Sequence, residues 1–339
     1  MNISWRRSGR SLAYSPKLGT GGFRIKHRKH PLDWVKIRLL KRVRGCVNIS
    51  FKPMTVNLKQ KRDKKMQQYK LLSLDLDKTL LNNKHEISER NYIALKKCKE
   101  MGLYVVLASG REVETIDRFS DVLEIYDPII ACVGAIVCDE KKDGKRELLY
   151  HQPLPAGIVD EVMEFTQSMR WCLTVHYPDK ILALEQDKYT DIYHNQTGAT
   201  FTFVDDFYKI IAGTQPTKLI TVVDVELRES VYQQFVQKWA SRANITKTNP
   251  EYVEVNAKGV DKGVALTELC RILDIPLSQT MAFGDNYSDL PMLAVSGGKV
   301  LMDNASDEIK TDLKNRFSDL IIAPSNEDDG VAEIIETIL

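Results

Sequence analysis

The stretch that decides the fold is Leu71-Leu72-Ser73-Leu74-Asp75-Leu76-Asp77-Lys78-Thr79-Leu80-Leu81. It begins with a short apolar run, residues 71–74, that leads directly into Asp75. An apolar run of this length is typical of a strand that is buried on both faces in a parallel sheet. The polar residues that follow, Asp77 and Thr79, would then lie at the carboxyl end of the strand. The sequence therefore predicts a buried strand with polar groups gathered at its end.

A helix and a second strand are predicted directly after this stretch. Ser88 is expected to cap the helix at its N-terminus, and Gly102 is expected to end it. The residues predicted to form the inner face are Ile93, Leu95, Cys98 and Met101. Residues 104–108 form a second apolar run, and residues 129–133 a third. A strand, helix, strand unit of about 40 residues predicts a parallel sheet with right-handed crossovers.

The composition changes between about residues 149 and 250, where Pro, Tyr, Thr and Trp are frequent and β-rich runs alternate with amphipathic helices. The earlier pattern then resumes with a helix from Lys262 and a strand at residues 280–283. We therefore predict an α/β fold: a Rossmann-like, doubly wound parallel sheet with an inserted α+β module. The expected boundaries are a leader at 1–68, a core at 69–150 and 250–339, and the inserted module at 151–249.

The leader differs from the rest of the chain in charge. Residues 1–70 carry 20 lysines and arginines against only Asp33 and Asp63, whereas residues 71–339 carry 28 basic and 44 acidic residues. Three interpretations stay open: a leader without a folded role, an organellar transit peptide, and a tail that binds nucleic acid. No RNA-binding motif supports the last interpretation, so nucleic acid is not expected as a partner except through this leader.

The bulk composition is typical of a soluble globular protein, with 43% hydrophobic and 28% charged residues. The longest apolar run, residues 128–138, is too short to span a bilayer, so no membrane partner is expected. The six cysteines include no C-x-x-C pair, which favours reduced thiols. We therefore expect a cytoplasmic protein, with organellar import by the leader left open, and either a monomer or a dimer.

Polar residues follow three of the predicted strands. In open α/β sheets, ligands bind outside the carboxyl ends of the strands, so these residues are expected to meet at one edge. They are Asp75, Asp77, Thr79, Ser109, Gly110, Asp285, Asn286 and Asp289, and Lys262 begins a helix at the same edge. Each residue alone is more often a turn or capping residue. Together, several carboxylates favour Mg²⁺, and a lysine and a hydroxyl beside the metal suit a phosphoryl group.

These residues also carry a family resemblance. Residues 75–81 resemble the D-x-D-G-T-L-L signature of the haloacid dehalogenase (HAD) superfamily. Residues 109–111 resemble its second motif, Lys262-Gly263 its third and residues 284–293 its fourth. The order and spacing are similar to those of Cof-type phosphatases, which carry a large α/β cap between the second and third motifs. The resemblance covers about residues 69–339, which is everything except the leader.

The resemblance implies a role for each matching residue. Asp75 would attack phosphorus, and Asp77 would act as the general acid and base. Lys262 would offset the charge on the nucleophile and on the transferred group. The residues expected to bind phosphate are Thr79, Ser109, Gly110, Lys262 and Asn286. Those expected around Mg²⁺ are Asp75, Asp77 through its backbone carbonyl, Asp285 and Asp289, the last through water or by holding Lys262.

Two positions depart from the family pattern. Lys78 stands where the family usually has glycine, and a non-glycine residue with positive φ would cost about 1 kcal/mol there. Val133 stands where the family's N-G-A motif has asparagine, which puts cap closure or a substrate contact in doubt. Neither change removes a catalytic group.

The function predicted from the sequence is Mg²⁺-dependent hydrolysis of a small-molecule phosphate ester through an aspartyl phosphate on Asp75. Sugar phosphates and phosphorylated cofactors both stay open as substrates. Two alternatives remain: a phosphomutase of the same fold, and a non-catalytic protein that binds a phosphorylated ligand or has a regulatory role.

Overall fold

The computed structural model describes residues 69–338. The basic leader, and with it each interpretation offered for residues 1–68, lies outside the described residues. Among the described helices, none is long and apolar enough to cross a membrane.

The described chain alternates strands and helices. The strands are β1 (Leu71–Leu74), β2 (Tyr104–Ala108), β3 (Ile129–Ala131), β4 (Ile136–Cys138), β5 (Leu148–His151), β6 (Cys172–His176), β7 (Ile181–Ala183), β8 (Thr202–Phe203), β9 (Lys218–Val222), β10 (Ala243–Thr246), β11 (Tyr252–Ala257), β12 (Thr280–Gly284), β13 (Gly298–Met302) and β14 (Ile321–Ala323). The helices are α1 (Glu89–Glu100), α2 (Val113–Leu123), α3 (Ala156–Met169), α4 (Lys188–Thr197), α5 (Phe207–Ile211), α6 (Val225–Trp239), α7 (Lys262–Ile272), α8 (Leu290–Val295), α9 (Asp307–Arg316) and α10 (Gly330–Ile338).

Eight of the described strands form the core sheet, in the order β14-β13-β12-β1-β2-β3-β4-β5. The strands from β14 to β3 run parallel, and β4 and β5 extend the sheet antiparallel. Strand β1 lies inside the sheet and all four of its residues are buried, as its apolar run predicts. The predicted α/β fold with a doubly wound parallel sheet is therefore confirmed.

The direction of chain growth reverses beside β1. The chain first adds β2 and β3 on one side of β1, and later returns to add β12, β13 and β14 on the other side. Leu74, the last residue of β1, pairs with Phe283 of β12 and with Leu107 of β2. Such a reversal leaves a crevice at the carboxyl ends of the adjacent strands, where ligands bind in this class of fold. The residues that follow β1, β2 and β12 therefore share one edge.

Helix α1 begins as predicted but turns a different face inward. The Ser88 hydroxyl accepts a hydrogen bond of 3.1 Å from the backbone N–H of Asn91, which confirms the predicted cap. The buried residues of the helix are Asn91, Ala94, Leu95 and Cys98, whereas Ile93 and Met101 are 44% and 52% exposed. The predicted inner face is confirmed for Leu95 and Cys98 and wrong for Ile93 and Met101. Residues 93 and 95 point about 200° apart on a helix, so they cannot share one face. Asn91 takes the inner position since its side-chain oxygen accepts from the backbone N–H of Ala332.

The other six strands within residues 69–338 form a separate sheet in the order β10-β11-β9-β6-β7-β8. We call the segment from α3 to β11, residues 156–257, the inserted module. Helices α3 and α6 pack against one face of its sheet, and Tyr193 of α4 packs against the other face. Strand β11 pairs with β9 and β10, so the module's sheet continues to Ala257, beyond residue 249. The strand pattern alone could not show this, because it does not reveal which sheet a strand joins.

Candidate active site

Three buried aspartates lie at the edge of the core sheet where the chain direction reverses. Asp75 follows β1, and its backbone N–H donates to the carbonyl of Phe283 at 3.1 Å. Asp285 follows β12, and Asp289 ends the short 3₁₀ turn after it. All three side chains are buried, with Asp289 fully so. These three carboxylates of the predicted edge therefore lie within the protein rather than in solvent.

Lys262 holds two of these aspartates. It is the first residue of α7, whose N-cap, Asp261, accepts a hydrogen bond of 2.8 Å from the backbone N–H of Val264. The Lys262 side chain is 2% exposed. Its Nζ donates to Asp75 Oδ1 and to Asp289 Oδ1, each at 2.6 Å. Burial alone would lower the pKa of this ammonium, but the charges of Asp289 and Asp75 raise it, so the lysine stays protonated.

Asp289 supports the turn that carries Asp285. Its second oxygen, Oδ2, accepts from the backbone N–H groups of Asp285 and Asn286, each at 3.1 Å. Gly284 permits this close fit, since a Cβ atom there would lie 2.4 Å from the Asp289 Cβ. Asn286 Oδ1 in turn accepts from the backbone N–H of Tyr287 at 2.7 Å. Asp289 therefore has hydrogen bonds to both carboxylate oxygens and acts mainly to position Lys262 and this turn.

The acids outnumber the base at this site. One oxygen each of Asp75, Asp285 and Asp289 lie within 4.8 Å of one another. Burial, and next the charge of Asp289, raise the pKa of Asp75 well above its usual range. The same two causes raise the pKa of Asp285 to about 6. Buried carboxylates with raised pKa values gain from a nearby cation, and these all-oxygen donors fit a hard divalent ion such as Mg²⁺.

Asp77 lies apart from this acid group and is paired with Arg111. Arg111 Nε donates to Asp77 Oδ2 at 2.8 Å and Arg111 Nη2 donates to Asp77 Oδ1 at 2.6 Å. His85 Nδ1 lies 3.4 Å from Asp77 Oδ1. Burial alone would raise the pKa of Asp77, but the hydrogen bonds and charge of Arg111 lower it. In this arrangement Asp77 is a carboxylate, which is the form that accepts a proton.

The hydroxyl groups predicted to contact phosphate lie among these side chains. Thr79 Oγ1 donates to Asp285 Oδ1 at 3.1 Å. Ser109 Oγ accepts from the backbone N–H of Arg111 at 3.2 Å, which leaves its own O–H free to donate elsewhere. Both residues are almost fully buried. Gly110 continues the same loop after β2, so the loop can bring backbone N–H groups toward a bound anion.

Lys78 and the segment Cys132–Gly134 adopt left-handed backbone angles. Lys78 has φ 61°, as expected for a position where glycine is usual. Cys132, Val133 and Gly134 have φ values of 51°, 59° and 102°. The N–H of Val133 donates to the carbonyl of Ser109, and a Cβ atom on Gly134 would lie 2.2 Å from the carbonyl oxygen of Asp261. This segment therefore contacts both the loop after β2 and the start of α7.

The structure brings together Asp75, Asp285, Asp289, Lys262 and Thr79, all of which are singled out by the sequence. Two features were not predicted from the sequence. One is the pairing of Arg111 with Asp77, although Arg111 belongs to the second motif. The other is Glu112, a buried carboxylate that follows it directly. An acid beside a functional loop was the available signal, but a charged residue at a helix start is usually solvated.

Fold and comparisons together define a hydrolase with an α/β core. The chain belongs to the haloacid dehalogenase-like hydrolase family, whose model matches residues 72–335. The phosphatase YwpJ of Bacillus subtilis is 24% identical over 302 residues, covering 80% of this chain and 100% of YwpJ. The 5-amino-6-(5-phospho-D-ribitylamino)uracil phosphatase YcsE of the same bacterium is 26% identical over 267 residues, covering 78% of this chain and 94% of YcsE.

A solved structure gives the same result. A haloacid dehalogenase-like hydrolase from Bacteroides thetaiotaomicron superimposes with a TM-score of 0.71 and 28% identity, covering 80% of this chain and 100% of the other. The predicted membership of the HAD superfamily and the prediction of an enzyme are therefore confirmed. The named relatives are phosphatases.

Proposed function

We propose that this chain is a Mg²⁺-dependent phosphatase that hydrolyses small phosphate esters through an aspartyl phosphate on Asp75. The observation that carries the proposal is the position of Lys262, whose ammonium bridges Asp75 and Asp289 at 2.6 Å beside Asp285. A buried carboxylate at the switch point of the sheet, with a fixed cation on one oxygen, is arranged to react through its other oxygen.

Asp75 and Asp285 would hold Mg²⁺ directly, together with the backbone carbonyl of Asp77. Burial, and next the charge of Asp289, raise the pKa values of both carboxylates, which supports a cation at this position. Asp289 would not bind the ion directly, because Lys262 and two backbone N–H groups already occupy its oxygens. It would act by holding Lys262 and the turn that carries Asp285. When bound, Mg²⁺ would supply charge neutralisation for the phosphoryl oxygens and the attacking carboxylate.

The first step forms a bond between an Asp75 oxygen and phosphorus and breaks the bond between phosphorus and the ester oxygen. The departing alkoxide takes a proton from Asp77, so the alcohol leaves as a neutral molecule. Asp77 is held as a carboxylate by Arg111 in this structure. Arg111 would therefore turn toward the phosphoryl oxygens when substrate enters, which releases Asp77 to carry its proton.

The second step is attack of water on the aspartyl phosphate. Asp77 accepts the proton of that water, phosphate leaves, and Asp75 returns as a carboxylate. The hydroxyl of Ser109 and the backbone N–H groups of its loop would donate to the phosphoryl oxygens. Asn286 would contribute its Nδ2, because its Oδ1 already accepts from Tyr287. Lys262 stabilises the charge that develops in both steps.

The substrate proposed is a small phosphorylated metabolite, either a sugar phosphate or a phosphorylated cofactor or its precursor. YcsE is named for a phosphorylated ribitylamino pyrimidine, which supports a substrate with a sizeable leaving group. The inserted module would serve as the cap that contacts this leaving group and selects it. The protein is proposed to act in the cytoplasm, as a monomer or a dimer.

The proposal is tested with p-nitrophenyl phosphate. We expect phosphate release that requires Mg²⁺, stops when EDTA is added and returns when Mg²⁺ is restored. Asp75→Asn, which keeps the size of the side chain, should lower turnover by at least about 10³-fold. Wild-type turnover no greater than that of Asp75→Asn, with both proteins folded by circular dichroism, would refute the proposal.

A panel of phosphorylated metabolites then identifies the substrate. One dominant ester would identify the leaving group that the inserted module accepts, whereas similar rates for all esters would indicate a broad phosphatase. Acid-quenched wild-type enzyme should carry ³²P from a labelled ester in a form that hydroxylamine releases, as an acyl phosphate does. Quenched Asp75→Asn protein is the control, and label that survives hydroxylamine would contradict an aspartyl phosphate.

A further inference from the structure

A second buried cluster of charged groups lies where the core sheet meets the inserted module. Glu112 is the residue before α2 and comes directly after Ser109-Gly110-Arg111. Its side chain does not cap its own helix. Instead, Glu112 Oε1 accepts a hydrogen bond of 2.6 Å from the hydroxyl of Tyr193. The Glu112 residue is 8% exposed, so this carboxylate depends on protein groups rather than on water.

Three polar side chains of the inserted module lie close to Glu112. Tyr193 lies on α4, His176 ends β6 and Lys218 begins β9. His176 Nδ1 lies 3.1 Å from Glu112 Oε1, and Lys218 Nζ lies 3.2 Å from the same oxygen. His176 and Lys218 face each other directly in the module's sheet. One carboxylate of the core is therefore surrounded by three polar side chains of the module.

Lys218 extends this cluster in two directions. Its Nζ donates at 3.4 Å to the backbone carbonyl of Gly110, a residue of the loop after β2. It also donates to Glu254 Oε2 of β11 at 3.5 Å. The Lys218 side chain is 2% exposed. The module therefore has two links to the loop proposed to bind phosphate. One is the buried ammonium of Lys218, and the other is its set of contacts with Glu112, which follows the loop.

The free energy of this cluster depends on the position of the module. A buried carboxylate is costly unless it is paired and hydrogen-bonded. Burial alone would raise the pKa of Glu112, but Lys218, His176 and Tyr193 together hold it far below its usual range. All three partners would be lost at once if the module moved away from α2. The favourable contacts of Glu112 therefore exist in one arrangement of module and core.

A more exposed pair of contacts continues along α2. Arg118 Nη2 donates to the carbonyl of Gly198, just after α4, at 2.6 Å. Thr200 donates to Glu114 Oε2 at 3.4 Å. Exposed contacts of this kind contribute little each. They show that α2 and the end of α4 lie side by side, with the buried cluster at one end of the contact.

We propose that Glu112 is a positioning residue, which holds the inserted module over the loop Ser109-Gly110-Arg111 through Tyr193, His176 and Lys218. The inference rests on the proposed function, because it assigns to this contact the enclosure of a phosphate ester at Asp75. It predicts that weakening the contact lowers catalysis on esters whose leaving group reaches the module. Small phosphate donors, whose leaving group does not reach the module, should be affected little.

The test uses two matched tyrosines. Tyr193→Phe removes the hydroxyl that bonds Glu112, whereas Tyr252→Phe removes a hydroxyl that bonds Gln196 within the module. The two rings pack together in the same buried cluster, with centroids 5.1 Å apart. In full-length protein with Mg²⁺, Tyr193→Phe should lower kcat/KM for the best ester of the panel about tenfold. Tyr252→Phe should lower it less than twofold, and acetyl phosphate should change less than twofold with either variant.

A double-mutant cycle tests whether the effect passes through Glu112. In a Glu112→Gln background, Tyr193→Phe should lower kcat/KM less than threefold, because the charged acceptor is already gone. Glu112→Asp, which keeps the charge on a shorter side chain, should recover part of the activity lost in Glu112→Gln. Equal losses for Tyr193→Phe and Tyr252→Phe, or an additive double variant, would overturn the proposal.

Hydrogen exchange measures the same contact without any substrate. Amides in α2 and α4 should exchange at least about fivefold faster in Tyr193→Phe than in Tyr252→Phe. Unchanged exchange together with changed kinetics would also overturn the positioning role. An inactive wild-type protein would refute the proposed phosphatase, while faster exchange in Tyr193→Phe would still establish that Glu112 holds the module.

Discussion

Among residues 69–338, two lysines are buried, and each lies between two carboxylates. Lys262 bonds Asp75 and Asp289, and Lys218 lies beside Glu112 and Glu254. Both side chains are 2% exposed. The first pair of carboxylates has a third acid beside it, Asp285. The second pair has neutral donors instead, chiefly the hydroxyls of Tyr193 and Thr248.

The difference is visible in the pKa values of the acids. Around Lys262, burial and the neighbouring charges raise the pKa values of Asp75 and Asp285. Around Lys218, burial alone would raise the pKa of Glu112, yet its partners lower it strongly. The cluster around Lys262 is short of positive charge, which suits its proposed roles in the reaction and in metal binding. The cluster around Lys218 is compensated, which suits the structural role proposed for it. Buried charge alone therefore does not identify an active site, whereas uncompensated buried charge supports the active site proposed around Lys262.

The largest effect is expected at Lys262. Lys262→Met keeps the length of the side chain and removes the ammonium that holds Asp75. Turnover of p-nitrophenyl phosphate should fall about 10³-fold, since a cation aimed at the developing charge contributes about 4 kcal/mol. The assay is run with saturating Mg²⁺ to keep the site loaded. Activity within tenfold of wild type would contradict a catalytic role for Lys262, and with it the distinction between Lys262 and Lys218.

Lys218→Met is the matched substitution in the other cluster. It leaves Glu112 and Glu254 buried without their cation, so the free energy of unfolding should fall by about 3 kcal/mol. Urea denaturation followed by tryptophan fluorescence measures this change. Activity per folded molecule on acetyl phosphate should stay within about tenfold of wild type. A loss as large as that of Lys262→Met would place Lys218 in the reaction itself.

Asp285→Asn tests the excess charge directly, through pH. Because the pKa of Asp285 is raised to about 6 in the folded protein from 3.8, the metal-free fold loses stability as pH rises from about 4 to 6. Asparagine cannot ionise. Above pH 6 without metal, the variant should therefore be more stable than wild type by on the order of 2 kcal/mol, and the gain should vanish near pH 4. Thermal melts in EDTA across this range measure it, and a gain that grows toward low pH would contradict it.

The smallest effect is expected in the segment Cys132–Gly134, which contacts the loop after β2 and the start of α7. Val133 is β-branched and has φ 59°, an angle that asparagine tolerates better. Val133→Asn should raise the free energy of unfolding by about 1 kcal/mol. Lys78→Asn, at φ 61°, is the comparison and should gain less, because lysine is not β-branched. A lower free energy of unfolding in both variants would show that the backbone angle does not determine the stability change at these positions.

Much of the core could be predicted from residues 71–81 and the motifs that follow other strands. The apolar run of β1 and the acids after β1 and β12 follow from local pattern and from the rule that parallel strands end at one edge. The inner face of α1 could not be predicted, because Asn91 is buried through hydrogen bonds to distant backbone groups. The Glu112 cluster could not be predicted either, because its members are separated by up to about 140 residues and meet only when the inserted module packs against the core.

The inserted module leaves and rejoins the core at neighbouring points. Gln152, just after β5, donates from Nε2 to the carbonyl of Lys258 at 2.9 Å, just after β11. An insertion whose ends lie together imposes little on its host, so the core sheet could accept a different module of similar end spacing. Under the proposed function, exchanging the inserted module, residues 156–257, for the corresponding module of a relative would change the substrate selectivity. We expect the exchanged module to dock on the core only if it carries hydrogen-bond partners for Glu112. A redesign should therefore keep or replace those partners.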